Sequence, residues 1–241
     1  MLSTYKTILS QKIQLNLDTY FFRFNLLEPK EIKFRAGQYL MIKIPTDKGP
    51  ISRLYSIASA NSEKNHIEFI IQIIPGGLAS SYLSGLKVQD EVSFQGPAGL
   101  FELKENDRQK IFLVTGTGIA QILSIIKSNF QFSSASWRIN FQLFWGLKTY
   151  SDVYLLDELK QYNLKICLSR EQNLDMIPKD DMKYFELGHV NSCFEKLHPT
   201  NYTLRTNFDF YLCGGRNIVE SLKQFLLGKD IQRENIHFEK F

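Results

Sequence analysis

The sequence predicts two domains: an N-terminal antiparallel β-barrel over 1–103, then a parallel-sheet α/β domain over 104–241. Three observations predict it. Up to about Phe101 the chain runs in short stretches of β-branched and aromatic residues, several alternating inward and outward, with turn residues between them, as barrels and sandwiches do. Beyond Leu103, continuous apolar runs alternate with helical periods, the pattern of strands buried on both faces between crossover helices. Between the two lies a polar segment, 102–108, that reads as a linker.

In the first part, strands are expected at 20–26, 38–44, 54–58, 67–74 and 91–94. Breaks fall at Glu28-Pro29-Lys30, at 45–50 and at Gly96-Pro97-Ala98-Gly99, where proline and glycine set turn geometry. One helix, 78–86, follows Pro75-Gly76-Gly77. In the second part, the apolar run 111–114 ends in Thr115-Gly116-Thr117-Gly118 and opens into a helix over 119–127. Strand 139–144 with helix 153–160, strand 164–168, and strand 208–212 with helix 217–227 complete an alternating series.

The 44% hydrophobic content of 241 residues suits one large core or two ordinary ones. A net charge of +4 permits an acidic partner, and no compact Lys/Arg run gives a nucleic-acid footprint. Cys167, Cys193 and Cys213 are odd in number and widely spaced, so no disulfide framework or cysteine-ligated cluster is expected. His66, His189, His198 and His237 show no metal spacing and are expected at the surface or at caps, with no metal site. No apolar run is long enough to cross a bilayer and the N-terminus has no signal-peptide core, so a cytoplasmic protein is expected.

Arg53-Leu54-Tyr55-Ser56 places a cation, an aromatic ring and a hydroxyl along one extended segment, able to hold a phosphate, cover a flat ring and bond its edge. The same pair of side chains is also ordinary on a surface strand. Two glycine turns precede expected helices. Gly77, Leu78, Ala79 and Ser80 form one, with an N-cap as the plain alternative. Gly116-Thr117-Gly118 forms the other, where backbone N–H groups and the helix dipole favour a phosphate. Ser169-Arg170-Glu171 closes the third strand of the α/β domain; the serine and arginine suit a 2'-phosphate, and an Arg170–Glu171 ion pair is the alternative. Cys213-Gly214-Gly215 ends the fourth strand, with Cys213 either a small buried hydrophobe or a polarisable group beside a nicotinamide.

Taken in order, these motifs resemble the ferredoxin-NADP reductase family of two-domain flavoenzymes over essentially the whole chain. Arg53-Leu54-Tyr55-Ser56 resembles its R-x-Y-S signature, and Gly77 to Ser80 its glycine-x-x-serine loop. Gly116-Thr117-Gly118-Ile119-Ala120 resembles G-T-G-I-A-P, with Gln121 in place of the proline, and Gly146-Leu147-Lys148 resembles G-x-R with lysine for arginine. Ser169-Arg170-Glu171, Cys213-Gly214 and the terminal Glu239-Lys240-Phe241 complete the set.

The resemblance implies FAD as cofactor and NADP(H) as the favoured nicotinamide nucleotide, with NAD(H) as the alternative. Arg53 would pair with the flavin pyrophosphate, Tyr55 stack on the isoalloxazine and Ser56 bond near N5, while Leu54, Ile71, Ile73 and the Gly77, Leu78, Ala79, Ser80 loop complete the flavin site. Thr115, Gly116, Thr117, Gly118 and Ile119 would receive the dinucleotide phosphates. Ser169 and Arg170 would receive the 2'-phosphate and Cys213 would sit by the nicotinamide C4, with Lys148 and Gly214 also among the cofactor-binding residues. Glu239 and Phe241 would close the site, Phe241 against the flavin face. Tyr55, Ser56, Cys213 and Glu239 are the expected catalytic set. The implied acceptor is a separate ferredoxin- or flavodoxin-like carrier or an oxygenase component; the alternative is an electron-transfer subunit with little activity alone.

Overall fold

The computed structural model describes residues 2–129, 141–198 and 207–241. They form two compact units, one of 2–103 with 120–129 and the other of 104–119, 141–198 and 207–241.

The first unit is a six-stranded antiparallel sheet. In chain order its strands are β1 (Ser3–Gln14), β2 (Thr19–Glu28), β3 (Tyr39–Ile44), β4 (Ile51–Ser56), β5 (His66–Gln72) and β6 (Glu91–Ala98), and in space they run β4-β3-β6-β1-β2-β5. Alternation drives it: in β3, Leu40, Ile42 and Ile44 point into the core while their neighbours are half exposed. Phe22, Phe24, Phe69 and Phe94 fill the centre, Phe24 and Phe94 meeting edge to face at 5.0 Å. The sheet curls until the segment after edge strand β4 meets edge strand β5, the Ala58 amide donating to the Glu68 carbonyl at 2.8 Å. A helix, α1 (Leu78–Gly85), follows β5 as expected.

Two features were not read from the sequence. Strand β1 is one, because its inward positions include the polar Thr7, whose hydroxyl donates to the Val92 carbonyl at 2.8 Å. The other is the allegiance of α2 (Ile119–Asn129): its residues from Ala120 onward belong to the barrel unit, and Ala120 to Ile126 are buried on every side. The expected turn at Gly96-Pro97-Ala98 is instead the last part of β6, paired through Gly96 with Ser3.

The second unit is a six-stranded parallel sheet of β7 (Gln109–Thr115), β8 (Phe141–Leu147), β9 (Leu164–Leu168), β10 (Phe185–Leu187), β11 (Phe208–Gly214) and β12 (Ile236–Lys240), in the order β10-β9-β8-β7-β11-β12. Helices α3 (Leu156–Leu159), α4 (Val190–Leu197) and α5 (Arg216–Leu227) belong to it. From β7 the chain builds outward through β8, β9 and β10, then returns to the other side of β7 with β11 and β12. The strand order therefore reverses between β7 and β11, and the crevice at the carboxyl ends of strands at such a switch point is where open α/β sheets bind ligands.

Several local expectations need correction. Ile139 and Asn140, expected in a strand, lie outside the described residues. The helix expected over 153–160 shrinks to α3, preceded by a 3-10 turn at Tyr150–Asp152 that Thr149 and Asp152 cap reciprocally. The terminal residues form an added strand: β12 pairs in parallel with β11 from Phe210–Ile236 to Gly214–Lys240. Two of the histidines stand at caps as expected, His189 at the N-cap and His198 at the C-cap of α4, while His66 and His237 are half-buried. His198 shares a 2.8 Å hydrogen bond with Gln142 and lies 4.8 Å from the Phe194 ring, His237 lies 4.8 Å from the Tyr211 ring, and His66 Nε2 lies 3.6 Å from Glu68. Cys167 and Cys193, 26 positions apart by their numbers, are both buried in the core of this unit, where the Cys193 thiol donates to the Leu187 carbonyl at 3.8 Å.

Candidate functional site

In the barrel unit, β4 is an edge strand that among the described residues pairs with β3 alone, Arg53 opposite Ile42 and Ser56 opposite Tyr39. Its other edge offers backbone groups to a ligand. Arg53 and Tyr55, two apart on an extended strand, share a face. Arg53 is exposed, its side chain donating to the Ser52 carbonyl at 2.9 Å, and it has no carboxylate partner among the described residues. Tyr55 is half-buried, its ring edge-on to Phe69 at 6.4 Å. Burial raises its phenol pKa, only partly countered by Arg53, so the ring stays neutral. Leu54, 57% exposed, leaves apolar surface on the same strand.

Beside it, Ile71 is buried in the barrel core, so only its backbone is available to a ligand; Ile73 is half-buried and its amide is taken by the Asp18 carbonyl at 2.7 Å. The loop then turns through Gly76, at φ +75° with no atom within 4 Å of where a Cβ would stand, and Gly77, the N-cap of α1. Ser80 is not the N-cap. Its Oγ accepts the Ile74 amide at 2.8 Å, which fixes the loop and leaves the hydroxyl proton to donate elsewhere. Leu78 is exposed and Ala79 half-exposed toward the core edge. A guanidinium without a carboxylate partner among the described residues, a half-buried ring and a glycine turn with a positioned hydroxyl fit a flavin nucleotide.

In the second unit, Thr115 ends β7 and Gly116, Thr117 and Gly118 form a 3-10 turn leading into Ile119, the first residue of α2. This turn is packed on the end of β11. A Cβ on Gly118 would lie 2.7 Å from the Cys213 carbonyl oxygen, and one on Gly214, at φ +151°, would collide with the Thr115 hydroxyl. Only glycine fits either place, whereas Gly116 and Gly215 have no atom of the described residues within 4 Å of a Cβ position. Trp145 and Tyr154 were missed from the sequence: the Trp145 indole donates to the Gly116 carbonyl at 2.9 Å and holds the turn. The legible signal was a tryptophan in a fully buried strand, whose N–H requires an acceptor.

Lys148 and Arg170 lie at the carboxyl ends of β8 and β9 and are joined by a 2.8 Å hydrogen bond from the Arg170 amide to the Lys148 carbonyl. Both side chains are exposed and without a carboxylate partner among the described residues. The Ser169 hydroxyl donates to the Leu147 carbonyl at 3.2 Å. Glu171 does not pair with Arg170; it accepts the Tyr150 amide at 2.8 Å. Cys213 is fully buried, and burial together with nearby Glu239 raises its thiol well above the usual range, so it is a neutral thiol. In β12, Glu239 pairs in register with Cys213, and Phe241, 62% exposed, is pinned through its backbone, its amide donating to Gly214 at 3.3 Å and its carbonyl accepting the Arg216 amide at 3.1 Å. A glycine cradle at the switch point, with two cations at neighbouring strand ends that no described carboxylate neutralises, fits a dinucleotide.

Residues 6–103 match the oxidoreductase FAD-binding domain and residues 112–224 the oxidoreductase NAD-binding domain. The electron transfer component of toluate 1,2-dioxygenase from Pseudomonas putida is 28% identical over 238 residues, 98% of this chain and 67% of that protein. The reductase component of propane 2-monooxygenase from Mycolicibacterium smegmatis is 27% identical over 229 residues, 91% of this chain and 62% of that protein. The chain thus spans about two thirds or less of the length of these relatives. Among solved structures, a cytochrome P450 reductase from Amycolatopsis aligns over 100% of this chain and 70% of its own, with a TM-score of 0.82 and 22% identity. A ferredoxin NADP+ reductase from Neisseria gonorrhoeae, with bound FAD and NADP, aligns over 98% of both chains with a TM-score of 0.78 and 19% identity.

Proposed function

The chain belongs to the ferredoxin-NADP reductase family of two-domain flavoproteins, and we propose that it takes a hydride from NAD(P)H, with NADPH preferred, onto FAD and delivers the electrons to a separate carrier. The FAD-binding part is taken as 1–103 and the nucleotide-binding part as 104–241. FAD, when bound, accepts a two-electron hydride and releases its electrons singly, which suits one-electron carriers such as ferredoxin, flavodoxin or an oxygenase component.

The chain's own residues bind and orient. Arg53 neutralises the flavin phosphates, Tyr55 packs a neutral ring on the isoalloxazine, and Ser56 donates at its edge. Ser80 and the Gly77 turn take phosphate oxygens. The amides at the start of α2 face the dinucleotide phosphates, Lys148 and Arg170 the 2'-phosphate, and Cys213 lends uncharged bulk beneath the nicotinamide position, with Glu239 and Phe241 at its margin. The observation that carries this reading is the pair of cradles in one chain, Arg53 on an edge strand without a carboxylate partner among the described residues and Gly118 packed on the Cys213 carbonyl. The net charge of +4 favours an acidic carrier, an encounter that added salt should slow. Three buried cysteines, none in a disulfide, support a reducing, cytoplasmic setting.

Anaerobic mixing of the FAD-reconstituted protein with NADPH or NADH tests the reading. Bleaching of the flavin band, faster with NADPH, is expected; a protein that stays colourless after reconstitution, or oxidised with both nucleotides, overturns it. A second reading, a subunit with little activity alone, is favoured by the names of the curated relatives, electron transfer and reductase components of oxygenases. Copurification of a stable partner would select it.

A further inference from the structure

We propose that Gln121 is a positioning residue for the flavin strand β4, acting through the carbonyl of Gly37; the inference rests on the FAD reading above. Gln121 stands where the resembled motif has a proline, and it carries a donor that proline lacks. It is fully buried, and its Nε2 donates to the Gly37 carbonyl.

Gly37 is packed against the backbone of Phe101. It sits at φ +97°, and a Cβ there would collide with the Phe101 carbonyl. The next residue, Gln38, is held on three sides: its side-chain oxygen accepts the Arg35 amide at 2.9 Å, its side-chain nitrogen donates to Gly99 at 3.3 Å, and its carbonyl accepts the Ile57 amide at 3.0 Å. Ile57 directly follows Ser56, and Ser56 pairs in register with Tyr39. A hydrogen-bonded path thus runs from Gln121 through Gly37 and Gln38 to Ile57 and the hydroxyl assigned to the flavin edge.

The same helix grips the barrel again six and seven residues on. Ser128 Oγ accepts the Asn61 amide at 2.9 Å, and Lys127 Nζ lies 3.8 Å from Glu68. Helix α2 therefore fastens both the segment entering β3 and the segment leaving β4. Without the Gln121 donor, a buried carbonyl loses a partner and the Gly37–Gln38 turn is held by one bond fewer. A shift there passes to Ser56, and displacements of about 1 Å are costly where a ring must be held edge-on to a hydroxyl. If Gln121 only filled space, an apolar side chain of the same shape would serve equally well.

The test uses the full chain with Gln121→Met, isosteric but without the donor, and Gln121→Glu, each reconstituted with FAD. FAD affinity and the visible circular dichroism of the bound flavin are measured from pH 6 to pH 9, with far-ultraviolet dichroism as the folding control. The Met variant should hold FAD about tenfold more weakly, with an altered visible dichroism band. The Glu variant should match the wild type at pH 6, where a buried carboxyl is protonated and donates, and match the Met variant at pH 9, while the wild type stays flat. A Met variant with wild-type affinity and spectrum, or a Glu variant insensitive to pH, overturns the proposal. A wild-type protein that binds no FAD overturns the FAD reading, and this proposal with it.

Discussion

The Oε1 of Glu171 accepts the Tyr150 amide at 2.8 Å, so its carboxylate caps the turn after β8 instead of neutralising Arg170. The consequence is a guanidinium at the end of β9 beside Lys148, with no carboxylate partner among the described residues. Arg170→Ala should lower the preference for NADPH over NADH by about 10- to 100-fold, the worth of a charge-assisted phosphate contact, through NADPH alone. Anaerobic reduction rates with each nucleotide over a range of concentrations measure this; an unchanged ratio would place the 2'-phosphate elsewhere.

Gly118→Ala addresses the other cradle. The added methyl would sit 2.7 Å from the Cys213 carbonyl oxygen, a backbone atom that cannot swing aside. Thermal unfolding should show a loss of about 1–3 kcal/mol, as for overpacking in a tight core. Reduction by NADPH should fall steeply, whereas FAD retention should not change.

Glu68 makes acid stability a measurable property of the barrel. Burial would raise its pKa, but His66 and Arg23, with Arg23 Nε donating at 3.0 Å, and Lys127 nearby outweigh burial and hold it at about 2 against 4.5 for the free group. A depressed carboxylate contributes stability that is complete above the unfolded value and disappears as pH falls through the folded one. Unfolding free energy should therefore drop by about 2–3 kcal/mol between roughly pH 5 and pH 2. Denaturant titrations of Glu68→Gln across that window should be flatter than those of the wild type; equal slopes would remove Glu68 as the cause.

All three cysteines are buried and outside any disulfide, and Cys213 is a thiol held well above its usual pKa by burial. Ellman's reagent should find no fast-reacting thiol in the native protein and three after denaturation. A fast thiol in the native state that disappears in Cys213→Ala would show the end of β11 to be open to reagents.

Residues near one another in sequence made much of this legible. The change of period near Leu103, the glycine turns and the Arg53-Leu54-Tyr55-Ser56 segment are local patterns, because backbone conformation and side-chain alternation are set within a few residues. They determined the two fold classes, while the flavin and nucleotide readings came from the order of the motifs and the family they resemble.

What only the tertiary structure decided depends on partners far along the chain. Strand β1 lies between β2 and β6 and satisfies its inward Thr7 on the Val92 carbonyl, and β12 pairs along the edge of β11. Glu171 chooses Tyr150 over its neighbour Arg170, Cys213 disappears beneath the turn at Gly118, and Gln121 reaches Gly37 across 84 positions. Each of these turns on which donor a buried acceptor can reach once the chain is folded, a pairing that burial makes obligatory and sequence spacing leaves undetermined.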